Sequence, residues 1–361
     1  MANGGAMHGT EFWHRLDDGR VQCDVCPRQC KLRLGQQGLC FVRANVNNEI
    51  VLTTYGRSSG FCVDPIEKKP LNHFYPGTSV LSFGTAGCNL ACKFCQNWDI
   101  SKSRQTDTLA SEASPERIAQ AAFDAGCKSV AYTYNDPVIF QEYAIDVAQA
   151  CKALGIHSVA VSAGYHSPAA RAAFYKHMDA ANIDLKSFNE DFYWKLTGAH
   201  LNPVLDTLVF LKHETNVWLE ITTLLIPGQN DSHHEIETLS RWVVDHLGHN
   251  VPLHFSAFHP DFKMRDLPAT PKSTLIQARQ IAMEQGIQFV YTGNVSDQQG
   301  DCTFCPNCGK PLIQRNWYAL EGQWGITADG QCPHCAAPIA GRFDAQPGSW
   351  GRRRVPVRLS T

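Results

Sequence analysis

Between residues 79 and 291 the chain alternates short apolar runs, rich in β-branched and aromatic residues, with longer stretches whose apolar positions recur every three or four residues. The short runs predict strands at 79–83, 129–134, 157–162, 182–185, 217–223 and 253–258, with a further candidate at 288–291. The longer stretches predict helices over 115–125, 138–154, 168–176, 203–213, 233–245 and 272–285. Several begin with Ser or Asp beside Pro or Glu, residues that satisfy or tolerate the free N–H groups of a first turn. Strand and helix taking turns imply an α/β fold with a parallel sheet of right-handed crossover units, open or closed as a barrel. In such sheets active sites gather at the carboxyl ends of the strands. No internal repeat or low-complexity tract interrupts the pattern, and the polar stretch 296–301 is the closest to a linker.

Composition narrows the class. With 361 residues, 43% of them hydrophobic, the chain is long enough for one large domain plus small appendages. Its 32 Lys and Arg against 34 Asp and Glu give a net charge of −2, so no global basic field indicates nucleic acid. The amino terminus lacks a basic start followed by an apolar run, and nowhere do eighteen apolar residues occur together, which predicts a soluble, cytoplasmic protein with no membrane partner. The 15 Cys fall in tight groups, a pattern of metal binding rather than of disulfides.

Those groups divide the chain into a Cys-rich amino-terminal segment and lead-in (1–72), the alternating region (73–295) and a carboxyl-terminal domain with its tail (296–361). Cys88, Cys92 and Cys95 stand in CxxxCxxC spacing on the loop that follows the first strand. Three thiolates on one short loop can hold three corners of a cubane iron-sulfur cluster and leave its fourth iron open for chemistry. Cys305, Cys308, Cys332 and Cys335 form two CxxC knuckles that fit a closed, structural zinc ribbon. Cys302 extends the first knuckle to CxxCxxC, so an iron-sulfur site is the alternative there. Cys23, Cys26, Cys30 and Cys40, with Gly35 and Gly38 among them, read as one further site for zinc or an auxiliary iron-sulfur cluster.

The cysteine loop, with Phe94 before its third cysteine, resembles that of the radical S-adenosylmethionine (SAM) enzymes. The strings Asp64-Pro65-Ile66-Glu67-Lys68-Lys69-Pro70-Leu71, Gly87 to Asn97, Asp184-Leu185-Lys186, Glu220 to Gly228 and His254-Phe255-Ser256 look like one branch, the AmmeMemoRadiSam-system enzymes. That branch is similar to the pyruvate formate-lyase activating enzymes. The resemblance covers most of residues 20 to 340 and implies a partial (β/α)6 TIM-like barrel whose 4Fe-4S cluster binds SAM at its open iron. Reductive cleavage of SAM would then give methionine and a 5'-deoxyadenosyl radical that abstracts hydrogen from a substrate the sequence does not name. It implies SAM contacts at Phe94, Asn135, Asp136, Ser162, Asp184, Lys186 and His254, with Lys186 suited to the SAM carboxylate. Two motifs depart from the activating enzymes. Tyr134-Asn135-Asp136-Pro137 stands where they carry Gly-Gly-Glu, and Ser162-Ala163-Gly164-Tyr165 where relatives show Thr-Asn-Gly-Tyr.

The remaining features have local readings. Cys127 and Cys151 are expected as small buried hydrophobes, and Cys62 as incidental. The charged string 64–71 is expected to help close the cavity rather than to form a solvated loop. His254 faces the cavity or the helices depending on register. His259 and Lys263-Met264-Arg265-Asp266 are expected near the substrate entrance. The implied partners are an electron donor such as flavodoxin or ferredoxin, and a protein substrate or AMMECR-type and Memo-type proteins. Two other functions stay open: activation of a glycyl-radical enzyme, and a non-catalytic iron-sulfur and zinc scaffold that senses redox state.

Overall fold

All seven expected strands form, and they lie side by side in the order of the chain. The computed structural model describes residues 7–103, 109 and 111–359, so the outermost parts of the first and last segments, 1–6 and 360–361, lie outside the described residues. Strand β1 (Phe61–Pro65) runs antiparallel to β2 (Ser79–Phe83). From β2 onward β3 (Ser129–Tyr132), β4 (His157–Ser162), β5 (Ala180–Asp184), β6 (Trp218–Leu225), β7 (Leu253–Ala257) and β8 (Val290–Gly293) are parallel, each paired with the next.

The helices between them are α1 (Pro115–Asp124), α2 (Gln141–Ala153), α3 (Pro168–Tyr175), α4 (Asn202–Glu214), α5 (His233–Leu247) and α6 (Lys272–Glu284). Their starts follow the sequence signals. Ser114 accepts a hydrogen bond from the Arg117 N–H ahead of Pro115, and Ser232 accepts one from the Glu235 N–H. The helix expected over 138–154 is divided. A 3-10 turn at Pro137–Phe140 precedes α2, because the Asp136 carboxylate takes the Val138 N–H and draws the chain into a tighter turn. Among the described residues no helix is long and apolar enough to cross a membrane.

The two faces of the sheet differ in chemistry. Leu219, Ile221 and Leu225 of β6, and Leu253, Phe255 and Ala257 of β7, pack in the main apolar core with the helices. The alternate residues Thr222, Leu224, His254 and Ser256 line a cavity on the opposite face. Burial of both faces accounts for strands that read as near-continuous apolar runs.

The flanks join this frame more intimately than their cysteine spacing suggests. The strand β1, read with the lead-in, belongs to the central sheet, and a tail strand at Val355–Val357 pairs antiparallel with it to make the outermost of nine strands. Neither is an expected strand: β1 ends in Asp64-Pro65 and the three-residue tail strand carries Pro356, and proline within a short run speaks against a strand. The stretch 296–301 is no linker. Gln298–Asp301 forms a helical turn, and Asp297 is buried with its carboxylate accepting from Thr292 Oγ1 at 3.0 Å.

The amino-terminal segment consists of short antiparallel pairings, Trp13–Arg15 with Val21–Cys23 and Arg43–Val46 with Glu49–Leu52. Arg43, 2% exposed, fastens it to the body: Nε donates to the Ile139 carbonyl at 3.1 Å and Nη1 to Glu142 Oε1 at 2.9 Å. Arg43→Met leaves Glu142 buried without its cation, and urea unfolding is expected to show a loss of about 3–5 kcal/mol; a change below about 1 kcal/mol would show that this anchor is dispensable.

Candidate active site

Three cysteines on an irregular loop need their backbone held from outside. The loop from Gly87 to Asn97 obtains its partners from around the rim of the sheet. A turn of π-helix at Tyr193–Thr197 leaves carbonyls free, and Leu196 and Thr197 accept from the N–H groups of Lys93 at 2.9 Å and Ala91 at 2.8 Å. The Lys93 carbonyl takes the Lys263 N–H at 3.0 Å, and Lys102 Nζ donates to the Leu90 carbonyl at 2.8 Å. Asn135 spans the base of the loop: its Oδ1 accepts from Thr85 N at 3.2 Å and its Nδ2 donates to the Gly87 carbonyl at 2.9 Å.

Gly87 itself has φ +83°, and a Cβ there would stand 1.9 Å from the Cys40 carbonyl oxygen. Only glycine lets the amino-terminal segment approach the loop so closely.

All ten residues expected at the central site line one cavity of about 360 Å3: Cys88, Cys92, Cys95, Phe94, Asn135, Asp136, Ser162, Asp184, Lys186 and His254. Their surroundings differ. Cys92 is buried and Cys88 and Cys95 are half-buried, and burial pushes the Cys88 thiol up to about 12. Burial also raises Cys92, although Lys186 and Lys102 work against the shift. The Leu90 N–H donates to Cys88 Sγ at 3.4 Å, and Cys95 Sγ lies 3.2 Å from Ser101 Oγ. Phe94, 4% exposed, packs against Phe192. Lys186 Nζ donates to Asp184 Oδ2 at 2.8 Å; burial opposes its charge, but the carboxylate outweighs burial and the ammonium is retained.

Asp136 is more committed than its motif suggests. Its Oδ1 accepts from Val138 N and from Ser162 Oγ at 2.9 Å, and its Oδ2 accepts from Ala163 N at 2.9 Å. This carboxylate caps the turn that leads into α2 and joins the ends of β3 and β4. Ser162 Oγ also accepts from Gly164 N at 3.0 Å. Both side chains line the cavity while binding the chain's own backbone.

The opposite end of the cavity is a buried polar floor. His254 faces inward, its Nε2 2.7 Å from Glu220 Oε2 and its ring stacked on Tyr291 at 5.0 Å. Glu220 also accepts from the N–H groups of Asn72 at 3.0 Å and His73 at 2.8 Å and from Trp218 Nε1 at 2.9 Å. Burial alone would raise its pKa, yet His254 and these donors hold it below the usual range. His73 Nδ1 donates to the Ala340 carbonyl at 2.6 Å, so its Nε2 accepts from the Tyr291 hydroxyl at 2.6 Å, and burial depresses the ring to about 4.

Arg315 completes the floor from the carboxyl-terminal domain. It donates to Thr303 Oγ1 at 2.9 Å and to the Asn72 carbonyl at 2.6 Å, and stands 3.8 Å from Glu67 Oε1. Arg315, Trp317 and Tyr318 all line the cavity and were absent from the expected set. A faint signal existed for the first. In Pro311–Asn316 the buried residues are Leu312, Ile313 and Arg315, which places Arg315 on the inward face with Ile313.

The charged string 64–71 is no solvated loop: Asp64, Glu67 and Lys69 are buried. Asp64 accepts from Lys69 Nζ at 2.7 Å, Lys68 Nζ at 3.1 Å and the Tyr134 hydroxyl at 3.0 Å. Burial would raise its pKa, but the two ammonium groups outweigh that and bring it to about 2. Glu67, Lys68 and Pro70 line the cavity. Cys62 is buried with Sγ 3.7 Å from Asp64 Oδ1, and Cys127 and Cys151 are buried in the main core.

The two flanking cysteine groups are arranged differently. The sulfurs of Cys305, Cys308, Cys332 and Cys335 all lie within 4.8 Å of one another, with Cys305 to Cys335 at 3.6 Å and Cys308 to Cys332 at 3.7 Å. Cys302 is buried and stands outside that group. Cys23, Cys26, Cys30 and Cys40 line a separate small cavity against α2's lead-in turn.

The profile of the radical SAM superfamily matches residues 83–240, from the end of β2 into α5. An uncharacterized protein of Methanocaldococcus jannaschii is 41% identical over 309 residues, spanning 86% of this chain and 92% of that one. The pyruvate formate-lyase-activating enzyme of Clostridium pasteurianum is 25% identical over 55% of this chain and 87% of its own length. Among solved structures, a radical SAM methyltransferase from Sphaerobacter thermophilus matches with a TM-score of 0.49 and 14% identity, over 79% of this chain and 76% of that one.

The floor gives the cavity a pH signature. Burial lifts Glu67 from 4.5 to about 7 against the pull of Arg315. A carboxyl whose folded pKa is raised binds protons better folded than unfolded, so its contribution to stability falls as pH rises from about 4.5 to 7. Relative to Glu67→Gln, the native protein is expected to lose on the order of 2–3 kcal/mol across that window in urea titrations. Parallel curves for the two proteins would show that folding leaves the titration of Glu67 unshifted.

Proposed function

The chain carries a radical SAM superfamily domain at residues 83–240 and is an enzyme, and on that footing we propose that it cleaves SAM reductively at a 4Fe-4S cluster held by Cys88, Cys92 and Cys95. The observation that carries this reading is the shared cavity: three thiols of one loop, the Lys186–Asp184 pair and a polar floor face a single space. The donor set fits the group. Burial disfavours the free thiolates of Cys88 and Cys92, so a bound metal that displaces their protons is what stabilises the charged form, and three ligands leave one iron of a cubane without a protein partner. Bound together, cluster and SAM supply a 5'-deoxyadenosyl radical able to take hydrogen from an unactivated C–H bond.

The protein's own residues bind and shield. Lys186, its charge secured by Asp184, is suited to the SAM carboxylate, and Phe94 packs beside the cysteines. Asp136 and Ser162 hold the ends of β3 and β4 in register around the cofactor space, and Asn135 does the same for the loop. Arg315, Trp317 and Tyr318 wall off the far side, which favours exclusion of water from a reactive intermediate. The sheet is read as a partial (β/α)6 barrel carrying one more parallel strand, β8.

We read zinc at Cys305, Cys308, Cys332 and Cys335. Four thiolates about 2.3 Å from one tetrahedral ion stand about 3.8 Å apart, close to the 3.6 and 3.7 Å separations here. The zinc unit anchors the strand that carries Arg315, so it supports the cavity wall.

The substrate is a C–H compound or polypeptide held against the floor. Relatives named as pyruvate formate-lyase-activating enzymes support a second version, in which the hydrogen is taken from a partner protein to leave a glycyl radical. Either version needs a one-electron donor such as flavodoxin or ferredoxin, and AMMECR-type or Memo-type proteins are the proposed alternatives as partner. The radical SAM domain and the activating-enzyme homologues set the non-catalytic scaffold aside.

Anaerobic protein reconstituted with iron and sulfide, then given dithionite and SAM, is expected to form 5'-deoxyadenosine and methionine, with formation lost in Cys92→Ala. A fully clustered native protein that forms neither product sinks the proposal. Lys186→Met is expected to raise the KM for SAM about 10–100-fold, the scale of one charge-assisted hydrogen bond; an unaltered KM removes Lys186 from the carboxylate site.

A further inference from the structure

We infer that Cys23, Cys26, Cys30 and Cys40 hold a second cubane iron-sulfur cluster, placed to pass electrons to the Cys88 loop. All four cysteines line one cavity, closed by Val138, Ile139 and Asn89. That cavity has a volume of about 20 Å3. A single zinc ion needs no such space, because four thiolates close on it directly, about 3.8 Å apart.

The protein itself provides the contrast. Among the described residues, the carboxyl-terminal four are the group whose ligand atoms all fall within 4.8 Å, and no three of the amino-terminal sulfurs meet that spacing. Thiolates on a cubane each bind a different iron and stand farther apart than four thiolates on one ion. Four filled corners make the cluster a carrier of electrons rather than a place for substrate.

Its position suits that role. Asn89, the neighbour of Cys88, lines the cavity, and its carbonyl accepts from Arg28 Nε at 2.8 Å. Cys40 lies against Gly87, where a Cβ would be 1.9 Å from the Cys40 carbonyl oxygen. The backbone at Gly87–Asn89, which flanks Cys88, therefore borders the amino-terminal site directly. A low-potential ferredoxin-type donor gives one electron to this cluster, which returns to its oxidised state when it passes that electron on, with no bond made or broken. Occupancy by a cluster stands independently of the proposed SAM chemistry; the relay role rests on it.

The test uses the full chain with Cys88, Cys92 and Cys95 all changed to Ala. After anaerobic reconstitution it is expected to keep about four iron and four sulfide and to show, when reduced, a paramagnetic signal that SAM does not alter. Less than about one iron per chain, with zinc rising to about two, overturns the inference. Should this variant not fold, the native protein decides: about eight iron and one zinc supports the second cluster, and about four iron and two zinc refutes it. For the relay, Cys26→Ser/Cys30→Ser is expected to lower ferredoxin-supported SAM cleavage about tenfold more than dithionite-supported cleavage, and an equal loss with both donors overturns the relay. Native protein with eight iron that forms no deoxyadenosine would defeat the SAM reading while leaving the second cluster in place.

Discussion

The cysteine loop cannot satisfy its own backbone, and much of the surrounding architecture supplies what it lacks. A segment that must spread three thiols around one space cannot also form a helix or a strand, so its N–H and C=O groups need partners elsewhere. The π-helical turn at 193–197 offers the carbonyls of Leu196 and Thr197, Asn135 bridges Thr85 and Gly87, and Lys102 takes the Leu90 carbonyl. Gly87 then permits the Cys40 backbone to close on the loop from the other side. Each device comes from a different part of the chain, so the loop's conformation is a property of the assembled rim.

The cavity beneath that loop depends on charge balance in a poorly solvated space. Carboxylates and cations there are arranged in compensating sets: Asp64 with Lys68 and Lys69, Glu220 with His254 and backbone donors, and Lys186 with Asp184. Glu67 is the least compensated, since Arg315 stays 3.8 Å away and Gly77 offers one N–H at 2.7 Å. Satisfied networks of this kind rigidify a site, while an undercompensated group keeps a protonation equilibrium within reach of neutral pH.

The two Cys-rich flanks support this cavity and its loop as well as grouping their cysteines. The amino-terminal segment backs the cysteine loop through Cys40 and holds the lead-in to α2 through Arg43, and the carboxyl-terminal domain reaches the cavity itself through Arg315. Metal binding in such small units is coupled to their folding, because forty residues bury too little apolar surface to fold alone.

The sequence by itself determined the alternating α/β plan, the strand positions from 79 onward, the cysteine groups and the placement of the CxxxCxxC loop at a strand end. These follow from local signals, namely periodicity, caps and ligand spacing, each of which acts over a few residues. The ten expected central residues also converge on one cavity, because all but His254 lie at or beyond strand ends that parallel order brings to one side. Only the tertiary structure decided that His254 points inward, that Asp136 is engaged by Val138, Ser162 and Ala163, that β1 and the tail strand join the sheet, and that Arg315 forms the floor. The reason is range: Arg315 and Asn72 meet across 243 positions of chain, and no local pattern encodes the partner at that distance.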